Sequence, residues 1–164
     1  MNKAKEAQCE VQMSALATAI ESYRAEYGNY PNIFLSGAWQ DSDYPGSTSG
    51  SLSSRDLVGC LMGKVIASGN YTNPRGLSLF SPKEVESGKG GLFRTTAGIH
   101  GYFDPWGRPF VISFDYDGNG KTYVGQGWGG WGPLDGSFFH DGPLVIMSKG
   151  KDPLDPATNI WSIE

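Results

Sequence analysis

The chain has 164 residues, enough for one domain whose hydrophobic core needs no stapling. Its 24 glycines and 10 prolines are many, but aromatic residues at 13% supply matching burial, so the composition is that of a folded chain and not a disordered one. A net charge of -4 with no run of like charge excludes a nucleic-acid footprint, and no apolar stretch approaches the roughly eighteen residues that a bilayer-spanning helix needs.

From Ala4 to Tyr27 there is no Gly and no Pro, and residues that lose little on entering a helix dominate. A helix of about twenty-four residues, roughly 36 Å long, is predicted. Cys9, Met13, Leu16, Ile20, Tyr23 and Tyr27 recur in steps of 4, 3, 4, 3 and 4 and form one apolar stripe that must be covered. Lys3, Lys5, Glu6, Glu10, Glu21, Arg24 and Glu26 lie largely off that stripe. Gly28 supplies the left-handed residue that ends many helices, and Pro31 forbids resumption.

Asn32 to Gly50 reads as loop. Ser53 or Ser54 is the expected cap of a short helix near 54–67, in which Leu57, Val58, Leu61, Met62, Val65 and Ile66 repeat at helical steps until Ser68-Gly69-Asn70. Between Tyr71 and His100, Pro74, Gly76, Ser81-Pro82 and Gly88-Lys89-Gly90-Gly91 interrupt every pattern, which leaves irregular chain with at most one helical turn at Pro82 to Glu86. Order returns at Phe103 to Phe110, where Asp104, Pro105 and Gly107 predict a tight corner entering a strand, with Trp106 as its buried anchor. Phe110 to Phe114 and Lys121 to Val124 read as strands joined in a hairpin by Asp115 to Gly120, whose Asp-Gly and Asn-Gly pairs suit a tight turn. Leu144 to Ser148 is a third strand and Ile160 to Ile163 a fourth.

Three stretches carry a family likeness, the third of them the loop from Ser148 taken up below. Lys3-Ala4-Lys5-Glu6-Ala7, Leu16, Ala19-Ile20, Tyr23 and the close from Glu26 to Pro31 resemble the membrane-distal half of the N-terminal helix in type IV pilin-like proteins. Asp104-Pro105-Trp106-Gly107-Arg108-Pro109-Phe110 resembles the Asp-Pro-Trp-Gly-x-Pro-Tyr signature at the start of the sheet in the major pseudopilins of type II secretion. The resemblance covers residues 3–31, 103–112 and 143–162. It implies an apolar membrane segment ahead of Met1 in the full-length protein, a periplasmic, inner-membrane or cell-surface location in bacteria, and partners that are other pilin or pseudopilin subunits and the secretion or pilus assembly machinery. In an exported domain Cys9 and Cys60 could pair as a disulfide; otherwise both are free buried thiols.

Candidate sites divide between two loops and one aromatic insertion. Ser148-Lys149-Gly150-Lys151-Asp152 through Asp155 to Asn159-Ile160 resembles the pseudopilin calcium loop, which nominates Asp152, Asp155 and Asn159 as Ca2+ ligands together with nearby carbonyls. Here Asn159 stands where the family has a second Asp, and the lost charge weakens the site for a hard cation. Asp115, Asp117 and Asn119 match the opening positions of a calcium loop, but position twelve is Gln126 and not Glu, so a bare turn is the competing reading. Gly125 to Gly132 contains a Gly-x-Gly-x-x-Gly spacing with no helix to follow, which argues against a phosphate cradle and leaves Trp128 and Trp131 as a stacking platform, an assembly contact or core cover. His100 and His140 are the only imidazoles, and nothing in the chain forms a nucleophile motif, so no catalytic residue is nominated.

The sequence therefore predicts one α+β domain over 1–164, a long N-terminal helix packed on a small antiparallel sheet. It divides into the helix and its stop (1–31), a loop region with the short helix (32–102), and the sheet with its C-terminal loop (103–164). The resemblance implies a structural function: a non-enzymatic subunit of a pilus or type II secretion pseudopilus-like periplasmic filament, in which Cys9, Met13, Leu16, Ile20, Tyr23, Pro31 and Trp106 serve folding or assembly. The alternative is a calcium-dependent or aromatic-platform binding module on a pilin-like stalk.

Overall fold

The computed structural model describes residues 3–31, 50–64, 73–115, 118–124, 138–152 and 160–163. The chain is α+β, and the described residues hold α1 (Lys3–Tyr27), α2 (Gly50–Leu61) and eight short strands: β1 (Glu84–Val85), β2 (Gly91–Thr95), β3 (Gly98–Phe103), β4 (Val111–Phe114), β5 (Lys121–Val124), β6 (Phe138–Asp141), β7 (Leu144–Ser148) and β8 (Ile160–Ile163). They form three small sheets, ordered β1-β2-β3, β4-β7-β8 and β5-β6, in which every pair is antiparallel except β1 with β2.

The predicted stripe of α1 is the buried one. Cys9, Met13, Leu16, Ile20 and Tyr23 are enclosed, with Gln12, Ala17 and Ala19 beside them, and Tyr27 packs at the margin. The helix lies on β7 and β8. β7 sits between β4 and β8, and all five of its residues are buried, so both faces of that strand are covered, as its unbroken apolar run requires. At the far end the Gly28 amide donates to the Arg24 carbonyl at 2.8 Å with Gly28 at φ +77°, a left-handed stop. Tyr30 then stacks on Phe114 with ring centres 4.9 Å apart, which seats the helix exit against β4, and Pro31 is buried beside it.

Several expectations need correction. The second helix runs from Gly50 to Leu61 and not over 54–67, so Ser53 and Ser54 lie inside it and Met62 beyond it. It ends because Gly63, at φ +65°, takes the left-handed position, with its amide on the Cys60 carbonyl and the Lys64 amide on the Gly59 carbonyl, a paired closure that overrides the continuing apolar repeat. Val65 and Ile66 lie outside the described residues.

The stretch expected to be irregular holds the β1-β2-β3 sheet, and Glu84 and Val85 are strand where a helical turn was expected. Its hairpin is closed through Thr96-Ala97, with the Ala97 amide on the Thr95 hydroxyl, and it has neither an Asn-Gly nor an Asp-Gly pair to advertise it. β4 and β5 are not a hairpin: β4 pairs with β7 and β5 with β6, and Asp115 to Gly120 carries the chain from one sheet to another. Phe138 to Asp141, for which no strand is expected from the sequence, forms strand β6. Trp106 is half-buried against the core, and the fully buried member of the corner is Asp104.

Asn73 joins α1, α2 and the following loop. It is 3% exposed; its Nδ2 donates to the carbonyls of Cys60 at 2.7 Å and Leu77 at 2.8 Å, and its Oδ1 accepts from the Tyr27 hydroxyl and the Leu77 amide. No helix among the described residues is long and apolar enough to cross a membrane.

Candidate functional site

The corner after β3 and the loop after β7 form one hydrogen-bonded unit under α1. Asp104 is 0% exposed. Its Oδ1 accepts from the Trp106 and Arg108 amides, both at 2.9 Å, and its Oδ2 accepts from the Ser148 hydroxyl at 2.6 Å. Its backbone amide donates to the Arg108 carbonyl, and its carbonyl accepts from Gly90 and Gly107. A carboxylate enclosed this way is tolerated because each oxygen faces a donor. Ser148, equally buried, accepts the Gly150 amide at 3.1 Å and so passes the connection into the loop.

Cys9 of α1 meets this network at Ser148. Burial pushes its thiol up to about 11, the Ser148 hydrogen bond opposes that shift, and the Asp104 carboxylate adds to it. A thiol held protonated at neutral pH is the opposite of an activated nucleophile, so Cys9, Ser148 and Asp104 hold helix, corner and strand together instead of forming a reactive set. Cys9 and Cys60 are both buried and unlinked. Also on α1, Gln8 and Gln12, one turn apart, donate to the carbonyls of Gly90 at 3.3 Å and Phe103 at 3.0 Å, gripping the open end of the β2-β3 hairpin.

Arg108 completes the unit from the other side. Its Nη1 donates to the Gly150 carbonyl, and Nη1 and Nη2 each reach the Lys151 carbonyl at 3.4 Å. Lys149, half-buried just ahead of them in sequence, has its pKa lowered to about 8 by desolvation and then by the Arg108 charge. Of the nominated calcium ligands in this loop, Asp152 is exposed, while Asp155 and Asn159 lie outside the described residues.

The other nominated loop is organised by its own amides. Asp115 accepts Asn119 N on Oδ1 at 3.1 Å and Gly120 N on Oδ2 at 2.9 Å, and Asn119 Oδ1 accepts the Lys121 amide at 2.8 Å. These are the contacts of a turn. Asp117 and the Gly/Trp stretch 125–137 lie outside the described residues. No group of three His, Cys, Asp or Glu side chains converges among the described residues. His100 is exposed, stacked on Phe93 and hydrogen-bonded to the Thr95 hydroxyl at 2.7 Å, and His140 stands opposite Thr122 in the β5-β6 register.

The face of α1 turned away from the sheets has a pattern of its own. Ala4, Ala7, Val11, Ala15, Thr18, Ser22 and Ala25 are all exposed and recur at helical spacing, and Val11 is 70% exposed. The Thr18 and Ser22 hydroxyls donate back to the carbonyls of Ser14 at 2.9 Å and Thr18 at 2.8 Å. Their polar atoms are thereby satisfied within the helix.

Asp104, Ser148, Arg108, Gln8 and Gln12 were missed as a group. Asp104 carried a signal, since an Asp opening a turn before Pro and Gly bonds the turn's amides, but its burial and the partners from α1 and β7 are non-local. No family model, no curated protein and no solved structure matches this chain.

Proposed function

We propose that this chain is a structural subunit of a pilus-like or type II secretion pseudopilus-like filament, assembling through the exposed face of α1. The observation that carries this reading is the stripe from Ala4 to Ala25. It is uncharged, built of small residues that allow close helix approach, carries an exposed Val11 in its first half, and its two hydroxyls already have acceptors in the helix. Covering such a face strands no polar group, so a helix partner meets little desolvation cost. The opposite face is committed to β7 and β8, which leaves this one for a neighbour. The resemblance of residues 3–31 and of the Asp-Pro-Trp-Gly corner to pilin-like proteins supplies the kind of assembly. A bacterial envelope location and anchorage by a segment ahead of Met1 go with that reading.

The test is association between two differently tagged copies expressed from the natural open reading frame. Wild-type copies should co-purify, and Val11→Arg should abolish this while leaving the melting temperature of the purified domain unchanged. Co-purification that survives both Val11→Arg and Ala15→Arg would remove the stripe from assembly.

A further inference from the structure

We propose that the Arg108 guanidinium is the resident cation of the loop after β7. It holds the Gly150 and Lys151 carbonyls, and it makes closure of residues 148–152 independent of metal.

The geometry begins in the corner. Both backbone groups of Arg108 are tied to Asp104, its amide to Oδ1 at 2.9 Å and its carbonyl to the Asp104 amide at 2.8 Å. The origin of the side chain is therefore set by a fully buried residue. From that origin the guanidinium reaches the Gly150 carbonyl and, with both terminal nitrogens, the Lys151 carbonyl. A planar fork of donors with no acceptor and no accessible deprotonation is well matched to a pair of carbonyl oxygens. Gly150, at φ +61°, turns the chain so that its amide meets Ser148 Oγ while its carbonyl meets Arg108. The loop is thus closed from two sides by groups that both rest on Asp104.

The same geometry disfavours calcium. Calcium takes six to eight oxygens, several of them carboxylates. The carbonyls that would contribute here already accept from Arg108. Both oxygens of Asp104 face donors, and among residues 148–152 Asp152 is the one carboxylate. A divalent ion would also sit close to the positive charges of Arg108 and Lys149. Among residues 148–152 the oxygens fit a guanidinium and supply too few carboxylates for a calcium ion; Asp155 and Asn159, nominated with Asp152, lie outside the described residues. Closure of this kind stands whether or not the chain assembles into filaments.

Two measurements test the clamp. In the first, the melting temperature of the wild-type domain is compared in millimolar calcium and in chelator, and the two curves should coincide. A calcium-dependent rise would overturn the proposal. In the second, limited trypsin digestion reads cleavage after Lys149, a half-buried bond that the clamp protects. Arg108→Ala should lower the melting temperature by roughly 5 °C and speed this cleavage at least several-fold. Arg108→Lys, which keeps charge but loses the fork, should fall between. Cleavage of Arg108→Ala at the wild-type rate would overturn the proposal. If Arg108→Ala does not fold, the Lys variant and the wild-type calcium comparison decide by the same criteria.

Discussion

Replacing Asp104 is the sharpest probe of the way the domain is held together. In Asp104→Ala the amides of Trp106 and Arg108 and the hydroxyl of Ser148 all lose their acceptor. Each stranded donor in a buried site costs about 1–3 kcal/mol, partly offset because a buried charge is also removed, so the expected loss is roughly 3–5 kcal/mol. Asp104→Asn separates the contributions. The Asn oxygen can still accept both amides, and its NH2 can donate to the Ser148 oxygen once that hydroxyl rotates away. What remains is the loss of charge assistance and the rearrangement of the Ser148–Gly150 connection, about 1–2 kcal/mol. Urea unfolding followed by tryptophan fluorescence measures both variants against wild type. The order wild type, Asn, Ala is the firm expectation. An Ala variant within about 1 kcal/mol of wild type would mean that these donors find water instead, and that the corner is not the keystone between α1, β3 and β7.

At Gly63 an added Cβ would lie 2.5 Å from the Gly76 carbonyl oxygen and the backbone is at φ +65°, whereas at Gly28, at φ +77°, nothing lies within 4 Å; Gly28→Ala should therefore cost only the left-handed strain, about 1–2 kcal/mol, and Gly63→Ala clearly more, as thermal unfolding would show. Cys9 is raised from its ordinary 9.0 to about 11, so the folded state holds the thiol proton more tightly; its stabilisation is complete below pH 9 and is lost as pH rises towards 11. Tyr30, raised from 10.0 to about 12, extends that loss higher, while Lys149, lowered from 10.5 to about 8, opposes it between those two values. Unfolding free energy measured from pH 7 to pH 11 should fall less steeply above pH 9 in Cys9→Ala than in wild type, and parallel curves would refute the assignment.

What the sequence determined by itself is the set of elements whose logic is local or self-contained. The α1 stripe was legible because a twenty-five-residue helix repeats one pattern over many turns, and its stop because Gly28 and Pro31 act on their own backbone. β7 was legible because a strand covered on both faces must be apolar throughout, as Leu144 to Met147 are, and the edge strand β8 by its Ile-Trp-Ser-Ile run.

The tertiary structure decided everything that depends on which distant segment arrives. The β4–β5 hairpin looked locally sound, yet β4 pairs with β7 some thirty residues on, because an apolar strand gains more against a buried partner than across a nearby turn. The β2-β3 hairpin was hidden because Gly91, Gly98 and Gly101 blank out its alternation; at Gly91 an added Cβ would meet the Lys83 carbonyl at 2.5 Å, so that glycine answers to a neighbour the local pattern does not contain. The end of α2 was misread because its apolar repeat continues past Gly63, and only the approach of Gly76 shows why that position must be glycine. The unit of Asp104, Ser148, Cys9 and Arg108 brings residues from position 9 to position 151 within hydrogen-bond reach of one another. Polar side chains leave no periodic trace when their partners are backbone groups elsewhere in the chain, so this unit exists only in three dimensions.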